Sequence, residues 1–133
     1  MPPAMPTPSQ LLHDPAHRRF WFRLLWLLAA VVAVAAFTPG ESAPSMGVGD
    51  KFDHLLAFGA LAVAATLSQR AGRRALLAAA AGLLLYGAFI EVVQLVVPGR
   101  EASWADLAAD ALGIAGGLAA SGGLRWCWPA RQV

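Results

Sequence analysis

The sequence predicts an all-α polytopic membrane protein: a bundle of four transmembrane helices with short loops and both termini in the cytoplasm. Three observations predict it. Of the 133 residues 58% are hydrophobic and only 14% charged, with mean hydropathy +0.57, which leaves too little polar surface to coat a soluble globule of this size. Four apolar runs, about Phe20–Phe37, Phe52–Leu67, Ala75–Val97 and Leu107–Leu124, come near the ~17–25 residues that cross a hydrocarbon core of about 30 Å. Basic residues segregate when four spans are assumed. Arg18, Arg19, Arg23, Arg70, Arg73, Arg74, Arg125 and Arg131 fall on one side, and only Lys51 and Arg100 on the other; basic residues near short loops stay cytoplasmic.

The elements follow in order. Residues 1–18, opening "MPPAMPTPSQ", are Pro-rich and lack apolar periodicity, which predicts a disordered cytoplasmic tail. The four-helix domain covers 19–126, and 127–133 form a short cytoplasmic tail. The first run also admits a cleaved leader, with "RRFWFR" as its basic region and "VAVAAF" as its cleavage site. Its apolar stretch is longer than the ~7–15 residues of such a leader, which favours a retained span. The second run is the shortest. Strands are a poor reading of all four, because Ala, Leu and Gly dominate and no alternation persists. The breaks are "TPGESAPSMGVG", "SQRAGRR" and "PGREAS", rich in Gly and Pro as turns require. Gly82, Gly87, Gly113, Gly116 and Gly117 read as close-packing positions between helices. The single Cys127 excludes an intramolecular disulfide, while Trp21, Trp26, Trp126 and Trp128 read as interfacial anchors. The pI of about 9.3 then describes an Arg collar facing anionic membrane lipid, with no nucleic-acid partner.

Polar residues inside the spans gather at the other face. Asp50, Lys51, Asp53 and His54 open the second span, Glu91 and Gln94 lie in the outer part of the third, Arg100 follows it, and Asp106 and Asp110 open the fourth. A charge at mid-depth costs ~2.5–3.5 kcal/mol on insertion scales, so such residues face the bundle interior and one another. Asp50/His54, Glu91/Gln94 and Asp106/Asp110 are each three or four apart, hence on one helical face. The "PGR" turn can return the chain sharply and make Arg100 a counter-ion for Glu91. Plainer roles compete. Ser103 with Asp106 is a capping-box pattern, Asp50 and Asp53 can cap the second helix, and Gln94 can simply tie helices together. His54 and Glu91 cap nothing, which makes them the general acid/base candidates. Asp50, Lys51, Gln94, Arg100, Asp106 and Asp110 are the binding candidates. Asp50, His54, Glu91 and Asp110 could also ligate a divalent metal, but they lack any diagnostic spacing, and no metal or cofactor is expected.

The stretches "DKFDH" and "YGAFIEVVQLVVPGREASWADLAADALG" resemble the VanZ-like membrane proteins. Asp50, Lys51 and His54 match that family's first element, Glu91, Gln94, Pro98 and Arg100 its second, and Asp106 and Gly113 its third. Asp110 stands where the family usually has Asn. The resemblance implies an integral protein of the cytoplasmic (inner) membrane connected with the cell envelope, whose namesake confers antibiotic resistance of the teicoplanin type. It names no reaction. Two classes of function remain: an enzyme acting on a lipid-linked envelope precursor or other anionic substrate, with Arg100 clamping phosphate or carboxylate, and a non-enzymatic binding or accessory protein. Transport through four short helices would require a homo-oligomer.

Reporter fusions check the topology. A reporter active only after export should be inactive at Ala71 and active at Ser42; activity at Ala71 would exclude four spans.

Overall fold

The computed structural model describes residues 5–129, which form five α-helices and no strand. They are α1 (Pro8–His13), α2 (Pro15–Phe37), α3 (Asp50–Leu67), α4 (Arg73–Gln94) and α5 (Trp104–Cys127), with a 3-10 turn at Gly40–Ser42 between α2 and α3.

Local chemistry sets most boundaries. Asp14 accepts from the Ala16 amide and Pro15 occupies the first turn, so α2 starts five residues before its apolar run. At its other end Pro39 has no N–H for the carbonyl of Ala35, and the ladder stops. The third apolar run reaches Val97, but α4 ends at Gln94. The donor that would serve the Gln94 carbonyl belongs to Pro98, so the chain tightens into i→i+3 bonds, Val96 N–H to Val93 O at 3.0 Å and Val97 N–H to Gln94 O at 3.2 Å. Gly99, at φ +70°, then turns the chain back.

The N-terminal segment differs from the disordered tail anticipated from composition. Residues 1–4 lie outside the described region, but Pro8–His13 is helical, closed by a Thr7/Gln10 capping box. His13 Nε2 lies 2.9 Å from the Trp128 carbonyl, the Ser9 hydroxyl donates to Pro129 O at 3.0 Å, and the Trp21 indole donates to Leu11 O at 3.1 Å. Partners distant in sequence order this segment, which is why its own composition did not reveal it. Residues 130–133 of the short C-terminal tail, Arg131 among them, also lie outside the described residues.

Among the described residues three helices are long and apolar enough to cross a membrane: α2, α4 and α5. The fourth expected span, α3, has 18 residues, about 27 Å of helix, and carries Asp50, Lys51 and Asp53 in its first turn. It is the central helix. Phe58, Leu61, Ala62, Ala64, Ala65, Thr66 and Leu67 are all buried, so its C-terminal part faces other helices. An apolar exterior is needed least there.

α3 and α5 run parallel, as the pairs His54–Asp110, Gly59–Gly117 and Thr66–Arg125 advance together along both. Their contact is backbone to backbone. A Cβ at Gly113 would overlap the Leu55 carbonyl oxygen and come 3.0 Å from the Gly59 nitrogen; one at Gly117 would overlap the Gly59 carbonyl and come 2.7 Å from Ala62 Cβ. Small residues permit this approach. Gly82 and Gly116, assigned the same task from sequence, have nothing within 4 Å; they lie on faces that no neighbour covers. α2 and α4 pack alongside, with the Tyr86 hydroxyl donating to Ala29 O at 2.6 Å and Phe37 edge-on to Phe89.

Gly113→Ala should lower the thermal unfolding midpoint of the detergent-solubilised protein by an amount corresponding to about 1–3 kcal/mol of overpacking or more. Gly116→Ala, with open space around it, should be neutral or mildly stabilising. Equal midpoints for the two variants would contradict the close α3–α5 contact.

Candidate functional site

The first turns of α3 and α5 and the last turns of α4 meet at one end of the bundle, opposite the end where Arg18, Arg19 and Arg23 border Ser68. The polar residues singled out in the sequence occupy this end, in three groups.

The innermost group is His54, Glu91 and Asp110, whose ligand-type atoms lie within 4.8 Å of one another. His54 Nδ1 is 2.9 Å from Asp110 Oδ1. Asp110 is fully buried, 0% exposed, and its Oδ2 has no hydrogen-bond partner. The register of α3 on α5 makes the pair possible. Gly87 makes room for it on the α4 side, where a Cβ would stand 2.6 Å from Asp110 Oδ2 and 3.3 Å from the Phe58 ring. Glu91, one turn beyond Gly87 and 8% exposed, accepts from the Ser103 amide at 2.7 Å through Oε2 and leaves Oε1 unpartnered.

That last bond corrects the capping-box reading. Ser103 does cap α5, its hydroxyl accepting from Ala105 N–H at 3.1 Å. The reciprocal carboxylate comes from Glu91 on α4 rather than from Asp106 three residues ahead. Asp106 is instead paired with Lys51, Nζ to Oδ1 3.3 Å, close enough for charge attraction without hydrogen-bond alignment. Asp106 is buried, but Lys51 is largely exposed, so the pair contributes little to stability by itself.

Arg100 also differs from expectation. Its acidic neighbour is Asp50, 3.7 Å from Nη1, and no pair with Glu91 forms. The same guanidinium donates from Nη2 to Ala35 O at 2.8 Å and from Nε to Thr38 O at 3.4 Å, supplying the donor that Pro39 denies to Ala35. The sequence contains this signal, a proline four residues after Ala35, but which side chain answers it depends on the turn that follows α4. Arg125 does the same at the far end, donating to Thr66 O at 2.9 Å and Gln69 O at 3.0 Å past the end of α3.

Asp50, His54, Gln94 and Arg100 line a cavity of roughly 90 Å³ together with Phe58 and Ile90, room for about three waters. An apolar groove of about 380 Å³, lined in part by Glu91, runs between α4 and α5, walled by Val92, Leu95, Trp104 and Leu107 and reaching Ser103. Of the expected site residues, Asp50, His54, Gln94 and Arg100 therefore share the cavity, Glu91 and Asp110 stand behind His54, and Lys51 and Asp106 form a separate pair. Asp53, whose expected role was capping, holds the loop before α3, its carboxylate accepting from Ser45 Oγ at 2.7 Å and from the Met46 amide at 3.3 Å.

Such an arrangement defines a class: a small helical protein of membrane type with a His–carboxylate cluster buried at one end, beside a small polar cavity lined by Asp50, Asp53 and Arg100. The chain belongs to the VanZ/LLP1 family, whose description matches residues 6–124, as the motif resemblance implied. No curated protein and no solved structure matches it.

Glu91→Gln keeps a carbonyl oxygen for the Ser103 amide, whereas Glu91→Ala removes the acceptor and leaves a half-buried N–H unpaired. Unfolding in detergent should therefore place the Ala variant about 1–3 kcal/mol below the Gln variant. The two being equally stable would mean that the α4–α5 cap contributes nothing.

Proposed function

We propose that this protein binds or acts on an anionic, lipid-linked envelope substrate at the extracytoplasmic face of the cytoplasmic membrane. The observation that carries this reading is the closeness of a polar cavity lined by His54 and Arg100 to an apolar groove lined by Glu91, with the His54 and Glu91 donor atoms within 4.8 Å of one another. A lipid-linked phosphate or carboxylate needs both surfaces, one for its head and one for its chain. In this reading α3 is the fourth span, shielded by its neighbours, and both termini are cytoplasmic. His54 and Glu91 are the general acid and base. Arg100, whose Nε and Nη2 are fixed on the carbonyls of Thr38 and Ala35, offers Nη1 to the anion in place of the long contact with Asp50. Lys51 and Asp106 flank the entrance, and Gln94 supplies a neutral hydrogen-bonding group. Family membership supports an envelope role and, by resemblance to the namesake, a contribution to glycopeptide resistance of the teicoplanin type.

A second reading has its own support in the same atoms. Arg100 and Glu91 each satisfy backbone groups of another segment, as they would in a non-enzymatic accessory protein whose polar cluster holds helices together. Arg100→Lys and Arg100→Ala separate the two, with membrane abundance measured alongside. For an anion contact that needs Nη1 held in place by the Nε and Nη2 bonds to Thr38 and Ala35, Lys should fail to restore the drug-sensitivity or envelope-stress phenotype lost in Ala, although abundance recovers. A Lys variant indistinguishable from wild type would defeat the clamp. His54→Ala should likewise lose function while keeping abundance; loss of both together would favour the structural reading. A lipid-linked precursor co-purifying with wild type and not with Arg100→Ala would give the substrate directly.

A further inference from the structure

We infer that His54, Glu91 and Asp110 form a binding site for a single first-row divalent cation of the zinc or manganese type. The location rests on the site reading above, but the binding claim does not depend on any reaction; with the ion bound, His54 and Glu91 serve as its ligands in place of acid and base. Three observations carry it: the geometry of the donors, their unpartnered oxygens, and the charge around them.

One donor atom from each of the three residues lies within 4.8 Å of the others, and the His54–Asp110 edge is already 2.9 Å. Ligands at about 2.0–2.2 Å from a tetrahedral ion stand roughly 3.4 Å apart, so side-chain adjustment suffices and the helices need not move. Two of the three residues are more than nine-tenths buried, and each holds an oxygen that nothing satisfies, Glu91 Oε1 and Asp110 Oδ2. Buried carboxylate oxygens without donors are costly, and an ion is one way to satisfy them.

The charge balance points the same way. The cations at this end are already engaged elsewhere: Lys51 with Asp106 at 3.3 Å, and Arg100 with Asp50 at 3.7 Å and the carbonyls of Thr38 and Ala35. With both carboxylates ionised, His54 is the only cationic group that faces them, and even an imidazolium would leave an excess of one negative charge. A divalent ion beside a neutral imidazole cancels both. His54 also belongs to an outer group with Asp50 and Asp106, but both of those carboxylates have a basic side chain within 4 Å, so the inner group is the stronger claimant. One imidazole with two carboxylates suits zinc or manganese better than magnesium or calcium, which prefer all-oxygen shells. Three protein ligands would leave coordination positions open toward a bound anion. The helical spacing carried no metal signature because each ligand comes from a different helix.

The test is calorimetric titration of zinc and of manganese into tag-free, chelator-treated full-length protein in detergent, with elemental analysis of the protein as purified. The expected result is one ion per chain. Removal of a ligand should cost at least the 10–100-fold that loss of a ligand's supporting partner costs, seen in His54→Ala, Asp110→Asn and Glu91→Gln. Glu91→Gln keeps the Ser103 cap, so its folded state can be verified by unfolding in the same detergent. Glu101→Gln, an exposed acid at the same end, should leave affinity unchanged. No binding at millimolar metal to folded wild type would overturn the inference, as would affinity that Asp50→Asn abolishes and Glu91→Gln spares, since the ion would then sit in the outer group. Metal binding in wild type with no phenotype in Arg100→Ala would sink the substrate reading and keep the site. Absence of metal with that phenotype intact would do the reverse.

Discussion

The close approach of α3 and α5 is the constraint on which the rest depends. Without Cβ atoms at Gly113 and Gly117, the α5 backbone lies against the Leu55 and Gly59 carbonyls, and the two helices share one register along their length. That register sets His54 opposite Asp110 at one end and Thr66 opposite Arg125 at the other. A bulkier residue at either glycine would separate the helices by more than a hydrogen bond tolerates, and the buried carboxylate of Asp110 would lose its partner.

Helix ends supply the second theme. Each helix leaves carbonyls and amides unpaired, and in a bundle with few polar residues the available partners come from neighbouring helices. Arg100 answers the carbonyl of Ala35 that Pro39 cannot serve, Arg125 answers the end of α3, and Glu91 answers the amide of Ser103. These side chains thus tie the ends of different segments together. A charged group fixed by one set of its atoms presents the others in a defined direction, and that preorganisation is what a binding site requires.

The division of exposure among the helices follows from the same packing. α2 is the most peripheral, with 6% of its apolar window buried against 33% for α5, and its exposed Phe22, Trp26, Leu27, Val31 and Val34 form an uncovered apolar face. α3 buries seven residues among its neighbours and still exposes Phe52 and Leu56. Its first turn carries Asp50, Lys51 and Asp53 at the end of the bundle, where Asp50 and Lys51 are exposed, and these charges are why hydropathy identifies the other helices more readily than this one.

Sequence by itself determined the helical class, the apolar runs, the family and the end of the bundle where polar groups collect, because composition, period and the high cost of charge in an apolar interior all act locally or through simple exclusion. It also marked Gly87, Gly113 and Gly117, without distinguishing them from Gly82 and Gly116. Only the tertiary structure decided which partner each polar residue has. Glu91 and Arg100 lie near one another in sequence, yet Glu91 pairs with Ser103 and Arg100 with α2. Asp106 could have completed its own helix cap and instead meets Lys51. The order in α1 comes from contacts with residues more than a hundred positions away. Such choices turn on helix register and on which neighbour reaches an unpaired group, to within about an ångström, and spacing along a single helix carries no information about the rotation or shift of the helix packed against it.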